Sequence, residues 1–186
     1  MSPLMSRVLV LTGLPGSGKS VASGIAVMMG IPVITMGDLI RAETAIRGLE
    51  PNGDNIGKVA VDLRKEFGDD VVLRRLWPDI QAAVSKHPLV LIDGMRSTPE
   101  KEALIELMGT EPDILAILAS EGIRNSRLSG RGRSDDEGTS TRDTRERNWG
   151  VEAIIDEANY RIRNEDGLNS FRAEVKALLE GLSRTD

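Results

Sequence analysis

The sequence contains no cysteine and only one histidine, His87. Without thiols the chain can form neither disulfides nor thiolate-ligated zinc or iron–sulfur centres, and a single imidazole cannot build a histidine zinc site. Any bound metal ion should therefore have oxygen ligands, which Mg²⁺ prefers. The absence of soft ligands predicts Mg²⁺ as the metal ion.

Aromatic side chains are scarce, and positive charge is outweighed by negative charge. Two tryptophans, two phenylalanines and one tyrosine are too few to favour a platform that stacks the bases of single-stranded RNA. The 24 Lys and Arg residues face 29 Asp and Glu residues, which gives a net charge of −5. Duplex nucleic acid is therefore not an expected partner.

Long apolar runs are also missing. No run approaches the ~18 residues that cross a membrane, and residues 1–6 lack the basic and apolar regions of an export signal. We therefore expect a cytoplasmic protein with no membrane partner. The 186 residues suit a single domain, 1–186, which acts as a monomer or a small homo-oligomer.

What the sequence does contain is Gly-Leu-Pro-Gly-Ser-Gly-Lys-Ser at 13–20, between a strand-like apolar run and a helical pattern. This is the P-loop pattern, in which glycines let backbone N–H groups surround phosphate oxygens at a helix N-terminus. Lys19 is expected to reach the β- and γ-phosphates of a nucleoside triphosphate, and Ser20 to bind Mg²⁺. The predicted nucleotide-binding residues are Gly13, Pro15, Gly16, Ser17, Gly18, Lys19, Ser20 and Val21.

A carboxylate ends the apolar run Leu-Val-Leu-Ile-Asp at 89–93. Four apolar residues followed by an acid are the Walker B arrangement, which predicts a buried strand. Because such a strand would end beside the P-loop, Asp93 is expected to act with Ser20 at the Mg²⁺ ion.

Short apolar runs alternate with helical patterns along the chain. Runs at 8–11, 31–35, 89–92 and 114–119 predict buried parallel strands, and 160–164 an edge strand. This pattern predicts an α/β fold with three layers, α/β/α, and a five-stranded, mostly parallel sheet. Ligands should bind at the carboxyl ends of its strands. The residues expected to meet there are Lys19, Asp38, Arg41, Asp93 and Arg96.

Capping residues and one proline set our expectations for three helices. Asp54 is a candidate N-cap for an amphipathic helix that ends near Phe67, and Thr98 is one for the helix that follows Asp93. Pro78 lies inside a helical run at 69–86, where it should kink or split the helix.

Seven arginines are interleaved with glycine, serine and acids between Ser120 and Trp149. Three of them, Arg124, Arg127 and Arg131, would share one face of a helix. Guanidinium groups suit the transition state of phosphoryl transfer, where one arginine can supply about 10³–10⁵ in kcat. The alternative is that many of these arginines pair with nearby acids on a solvated loop, for about 0–1 kcal/mol each. The candidate catalytic residues are Lys19, Asp38, Arg127, Arg131 and Arg133.

The role of Asp38 depends on the acceptor. A phosphate acceptor is already an oxyanion and needs no base, whereas a sugar hydroxyl requires a carboxylate to take its proton. The other interpretation of Asp38 is a cap for the helix that would begin at Leu39. The sequence leaves both roles open.

Three motifs together resemble those of the adenylate kinases and nucleoside-monophosphate kinases. They are the P-loop at 13–20, Met-Gly-Asp-Leu-Ile-Arg at 36–41 and Ile-Asp-Gly-Met-Arg at 92–96. From Arg7 to Leu182 the chain looks more closely like the archaeal adenylate-kinase-related family often labelled dephospho-CoA-kinase-like. Members of that family carry similar Arg-Gly-Arg-Ser-Asp-Asp and Asn-Trp-Gly segments. Two positions differ from adenylate kinases, because Met36 replaces a threonine and no proline precedes Arg96.

The resemblance implies a P-loop kinase fold that binds ATP and Mg²⁺ and phosphorylates a small nucleotide. Residues 36–86 would form a helical insert that binds the acceptor, and 124–149 an arginine-rich lid. Arg41 and Arg96 would hold the acceptor's phosphate, and a turn at 164–167 would hold the donor adenine. The implied substrate-binding residues are Gly37, Asp38, Arg41, Gly94, Arg96 and Arg142. The implied additions to the ATP site are Arg127 and Asn164.

Three functions remain open from the sequence. The first is a kinase that phosphorylates a nucleoside monophosphate such as AMP. The second is a kinase that phosphorylates a sugar hydroxyl on a nucleotide such as dephospho-CoA, with Asp38 as the base. The third is a nucleotide-dependent switch or RNA-associated ATPase, in which the arginine-rich segment binds a macromolecule.

Overall fold

The computed structural model describes residues 6–129 and 139–184, so Arg131 and Arg133 lie outside the described residues. Within them the chain forms five strands and nine helices. The strands are β1 Arg7–Thr12, β2 Val33–Thr35, β3 Leu89–Asp93, β4 Asp113–Leu118 and β5 Tyr160–Arg163. The helices are α1 Lys19–Met28, α2 Met36–Ile46, α3 Gly53–Phe67, α4 Val71–Val84, α5 Thr98–Met108, α6 Glu121–Ser129, α7 Thr139–Trp149, α8 Val151–Asp156 and α9 Leu168–Ser183.

The five strands form one sheet in the order β2-β3-β1-β4-β5, and every pair is parallel. The predicted α/β fold is therefore confirmed, and the sheet is wholly parallel. In the register, Leu11 of the central strand β1 lies opposite Asp93 of β3 and Leu115 of β4. The loop that follows β1 consequently begins directly beside Asp93.

The sheet is covered by helices on both faces because its central strands are apolar on both sides. Successive side chains of β1 alternate between two cores, with Val8 and Val10 in one and Leu9 and Leu11 in the other. The first core contains residues of α2, α3, α4, α5 and α8, and the second contains residues of α1 and α9. This is the three-layer arrangement that the sequence predicts.

The N-caps of two helices and the interior of a third differ from the prediction. The N-cap of α3 is Asn52, whose side chain accepts a hydrogen bond from the backbone N–H of Asn55, and Asp54 lies in the first turn. The N-cap of α5 is Ser97 rather than Thr98. In both cases another residue with a capping oxygen lies one or two positions earlier. Pro78 does not split α4, which is helical from Val71 to Val84.

The segment between β2 and β3 consists of α2, α3 and α4, which pack against one another and against the first core. It corresponds to the predicted helical insert at 36–86, and it places the start of α2 at the carboxyl end of β2. No helix in the described part of the chain is both long enough and apolar enough to cross a membrane.

Candidate active site

The loop between β1 and α1 depends on glycines at positions where a side chain has no room. Gly13 has φ +145°, and a Cβ there would collide with the carbonyl oxygen of Ile117. Gly18 has φ +117°, and a Cβ there would collide with the side-chain amide of Asn164. These glycines therefore let the loop approach β4 and the residue that follows β5 closely.

Lys19 is the first residue of α1, and its ammonium lies back over the loop. It donates hydrogen bonds to the carbonyl oxygens of Gly13 and, at 3.2 Å, of Leu14. Burial lowers the pKa of Lys19 to about 8, although the carboxylates of Glu146 and Asp93 act to raise it. The ammonium is therefore held by weak partners that a phosphate group can replace.

Asp93 ends β3 and is buried, with 9% of its surface exposed. Its Oδ2 accepts a hydrogen bond of 2.8 Å from the hydroxyl of Ser23 in α1. Ser20 and Asp93 line the same cleft. A hydroxyl and one carboxylate are oxygen ligands that suit Mg²⁺, which takes the rest of its coordination from phosphates and water. The residues present thus fit the metal ion that the sequence implies.

Residues from five separate stretches, one of them α6 with Leu128, line one cleft of about 170 Å³ at the carboxyl ends of the strands. The P-loop contributes one wall with Pro15, Gly16, Gly18, Lys19 and Ser20. The start of α2, the end of β3 and α7 contribute Gly37, Arg41, Asp93, Gly94, Arg96 and Arg142. The cleft thus contains residues expected for both the donor and the acceptor.

A smaller adjoining cavity of about 50 Å³ lies between α2, α3 and α7. Four arginines line it, together with apolar side chains of Ile40, Ile56 and Ala60. These arginines are Arg41, Arg96, Arg142 and Arg145. Cations beside an apolar wall suit a ligand that has both an anionic and an apolar part.

Comparisons with known proteins agree with this geometry. A family model described as an AAA domain, AAA_17, matches residues 12–142. The chain is 44% identical over 186 residues to a UPF0200 protein of Methanosarcina mazei, covering 98% of each chain. A UPF0200 protein of Hyperthermus butylicus is 41% identical, again over 98% of each chain. The chain belongs to the UPF0200 family. A UPF0200/UPF0201 protein of Archaeoglobus fulgidus is 35% identical over 97% of this chain and 57% of its own length.

These matches give the UPF0200 chain a P-loop domain, which supports nucleotide binding and a kinase-like or NTPase-like activity. The names of the relatives state no reaction. The finer relationship to adenylate kinases and dephospho-CoA kinases therefore remains a resemblance of motifs.

Two arginines of the UPF0200 chain lie behind the P-loop rather than in the cleft. Arg127 donates to the carbonyl oxygens of Gly16, Ser17 and Asn164, at 3.4, 3.3 and 2.7 Å. Arg124 is 2% exposed and donates to the carbonyl oxygen of Pro15 at 3.0 Å. These guanidiniums support the backbone of the loop, because they bind the carbonyl oxygens of Pro15, Gly16 and Ser17.

Asn164 takes part in the same support. Its side-chain amide donates to the carbonyl oxygen of Ser17 at 2.8 Å, and its own backbone carbonyl accepts from Arg127. Ser17 is 1% exposed, and its hydroxyl has no hydrogen-bond partner among the described residues. Val21 is partly buried against the second core. The loop backbone is thus hydrogen-bonded by Arg127 and Asn164, whereas Val21 packs against the second core.

Asp38 is not the cap of α2, so that interpretation was wrong. The helix begins at Met36 with Thr35 at its N-cap, which places Asp38 inside the first turn. The Asp38 carboxylate accepts a hydrogen bond of 2.7 Å from Arg41, and the two side chains are 67% and 47% exposed. Asp38 therefore orients one of the cleft arginines from the solvent side.

Glu146 of α7 is a site residue that the sequence indicates only as an ion-pair partner on a solvated loop. It is 1% exposed, and its Oε1 lies 3.2 Å from Nε of Arg142 and 3.4 Å from Nε of Arg96. Burial acts to raise the pKa of Glu146, but Arg96, Lys19 and Arg142 outweigh it and lower the pKa. Its spacing of four residues from Arg142 is the only signal in the sequence, since Arg96 is distant along the chain.

Proposed function

We propose that this UPF0200 protein is an ATP- and Mg²⁺-dependent nucleotide kinase that phosphorylates a nucleoside monophosphate such as AMP. The observation that supports it most is a single cleft lined both by the P-loop with Lys19, which would be the donor wall, and by Arg41 and Arg96, which would be the acceptor wall. A hydrolase needs only the donor wall, whereas an enzyme that transfers a phosphoryl group between two nucleotides needs the donor wall and the acceptor wall.

The donor wall is provided by Gly13–Ser20. The backbone N–H groups and Lys19 would bind the phosphates, and Ser20 and Asp93 would hold Mg²⁺, which neutralises charge as the phosphoryl group moves. Arg124 and Arg127 keep the loop in shape from behind. A separate cavity of about 280 Å³, lined by Ser120, Arg163 and Glu165, adjoins the loop at Leu14 and Ser17 and lies next to the segment 164–167. We assign the donor base to that cavity.

The acceptor wall is provided by Arg41, Arg96 and Arg142. Their guanidinium groups can bind two oxygens of a phosphate at once, which holds the acceptor in line with the donor. Arg131 and Arg133 remain candidate catalytic residues, and they lie outside the described residues. A cytoplasmic location and a small-molecule acceptor belong to the same proposal.

The surroundings of Asp38 favour a phosphate acceptor over a hydroxyl acceptor. A general base needs a carboxylate oxygen that is free to take the proton of the acceptor hydroxyl. Asp38 is exposed, and its Oδ1 already accepts a hydrogen bond of 2.7 Å from Arg41. An acceptor phosphate is already ionised and makes no such demand.

The decisive experiment is a coupled assay of ADP formation with ATP·Mg²⁺ and a panel of acceptors. The panel holds nucleoside monophosphates, nucleosides and dephospho-CoA, and we expect turnover with a monophosphate alone. Arg96→Met should remove that turnover while ATP affinity is kept. Arg172→Met is the matched control, because Arg172 is exposed on α9, far from the cleft, and should leave the rate unchanged.

Other results of the assay would assign another function. Turnover with dephospho-CoA that Asp38→Asn abolishes would identify a hydroxyl kinase with Asp38 as the base. ATP hydrolysis that RNA or protein stimulates, and that no small acceptor stimulates, would identify a switch or RNA-associated ATPase. Either result would overturn the proposal that the protein is a nucleoside-monophosphate kinase.

A further inference from the structure

We infer that Glu146 is a positioning residue for the acceptor's phosphate, because its carboxylate lies behind Arg96 and Arg142 and holds both guanidinium groups towards the cleft. This inference rests on the proposed function in one respect, namely that the acceptor carries a phosphate. It assigns to α7 a role in the acceptor half of the site.

The contacts of Glu146 leave the outer edges of both arginines available. The same oxygen, Oε1, accepts a hydrogen bond of 3.2 Å from Nε of Arg142 and forms an ion pair with Nε of Arg96 at 3.4 Å, a contact that does not amount to a hydrogen bond. Nε is the inner nitrogen of a guanidinium group, so a contact there leaves the two terminal nitrogens for another anion. A phosphate bound between the two arginines would therefore face the side opposite Glu146.

Burial distinguishes Glu146 from the arginines it contacts. Glu146 is 1% exposed, whereas the Arg96 side chain is 18% exposed and the Arg142 side chain 35%. Both arginines line the cleft, and Glu146 does not. A carboxylate in the cleft would compete with an incoming phosphate, but one that lies behind the arginines orients them without blocking the ligand.

Glu146 also links two elements that are distant along the chain. Arg96 follows β3, and Arg142 lies one turn before Glu146 on α7. The carboxylate is ionised at neutral pH, because Arg96, Lys19 and Arg142 outweigh the effect of burial and lower its pKa. One buried negative charge thus separates two positive groups that would otherwise repel each other.

A second contact of α7 makes the role of Glu146 testable by itself. Asp143, one turn earlier, binds Arg124 through both carboxylate oxygens at 3.0 and 2.7 Å. Because that pair anchors α7 to the P-loop side independently, replacement of Glu146 should release the two arginines without detaching the helix. The effect should therefore appear at the acceptor and not at ATP.

The test compares Glu146→Gln and Glu146→Asp with the control Glu152→Gln. Glu152 also pairs with an arginine, Arg147, but it is 59% exposed and lies outside the cleft. In Glu146→Gln we expect the acceptor KM to rise by about tenfold or more, with kcat changed far less and ATP affinity kept within about twofold. Glu146→Asp should restore part of the loss, and Glu152→Gln should match the wild type.

A double-mutant cycle shows whether Glu146 acts through the arginines. In an Arg96→Lys, Arg142→Lys background the added Glu146→Gln change should have little further effect on KM. Equal losses in both backgrounds, or losses for ATP and acceptor together with a lowered melting temperature, would overturn the inference in favour of a general structural role.

A measurement without turnover separates this inference from the proposed kinase activity. In the wild type with a non-hydrolysable ATP analogue bound, inorganic phosphate should shift the Nε–Hε NMR signals of Arg96 and Arg142, which the Lys variants assign. In Glu146→Gln these signals should move towards those of exposed arginines, and the phosphate Kd should rise about tenfold. An absence of kinase activity with these shifts present would refute the proposed function alone. Unchanged signals and an unchanged Kd would refute the inference alone.

Discussion

Arg124 and Asp143 are joined by two parallel hydrogen bonds, with Nη1 3.0 Å from Oδ1 and Nη2 2.7 Å from Oδ2. The same Nη1 donates to the carbonyl oxygen of Pro15 at 3.0 Å. One buried arginine therefore connects the P-loop to α7, which carries Arg142 and Glu146. This pair thus joins two elements whose residues Pro15 and Arg142 line the same cleft.

Replacement of that arginine should be costly. Arg124→Met leaves the Asp143 carboxylate without its buried partner, so we expect a loss of about 3–5 kcal/mol in the free energy of unfolding. Urea denaturation measures it. Arg147→Met is the control, because Arg147 is 47% exposed in its pair with Glu152. Equal stabilities of the two variants would show that the buried pair contributes no more to the free energy of unfolding than the exposed pair does.

The affinity for ATP should depend on pH through Lys19. Burial lowers the pKa of Lys19 to about 8, while Glu146 and Asp93 act to raise it and Arg96 and Arg142 to lower it. Because bound phosphates favour the charged ammonium, ATP affinity should fall above about pH 8, by up to about tenfold per pH unit. Titration calorimetry between about pH 7.5 and 9.5 measures this slope.

Lys19→Met provides the control for that titration. The variant should bind ATP weakly at every pH and lose the slope, and a slope that persists would assign the pH dependence to another group. The free energy of unfolding should change with pH in the opposite direction to the ATP affinity. Between pH 8 and the ordinary pKa of 10.5 the unfolded chain binds more protons at Lys19 than the folded chain does, so stability without ATP should rise there.

A second buried ion pair lies next to Arg96. Arg64 of α3 lies 2.6 Å from Glu100 of α5, with exposures of 7% and 0%, and Glu100 also accepts from the backbone N–H of Arg96 at 2.9 Å. Glu100→Ala should cost about 3–5 kcal/mol in denaturant unfolding, because it leaves the arginine buried and uncompensated. Glu106→Ala is the control on the same helix, where the partner Arg74 is exposed. No measurable loss is expected there.

Alanine substitution should have different effects at two glycines, one at the start of α1 and one inside it. Gly18 at the start of α1 has φ +117°, and its Cβ would collide with Asn164, so Gly18→Ala should distort the P-loop and weaken ATP binding. Gly24 lies inside α1, where an added methyl group would have nothing within 4 Å. Gly24→Ala should raise the free energy of unfolding by about 0.5–1 kcal/mol and leave ATP binding unchanged. Weakened ATP binding in Gly24→Ala would contradict this account.

Local patterns were enough to predict the sheet and the strand–loop–helix setting of the P-loop. The P-loop at 13–20 and the strand that ends at Asp93 are each one continuous stretch of sequence. The residues of each stretch therefore determine its local structure by themselves. The ends of helices were predicted less well. Asn52 and Ser97 cap their helices in place of Asp54 and Thr98, because several neighbouring residues can supply a capping oxygen and the backbone path selects among them.

The sequence by itself determined that glycines, a lysine and a serine occur at the spacing of a phosphate-binding loop, and that apolar runs alternate with helices. Only the tertiary structure decided what each charged side chain contacts. It turns Arg124 and Arg127 towards loop carbonyl oxygens, and it places Glu146 behind Arg96 and Arg142. Ion pairs between distant segments depend on how helices pack against the sheet, and no spacing along the chain records that geometry.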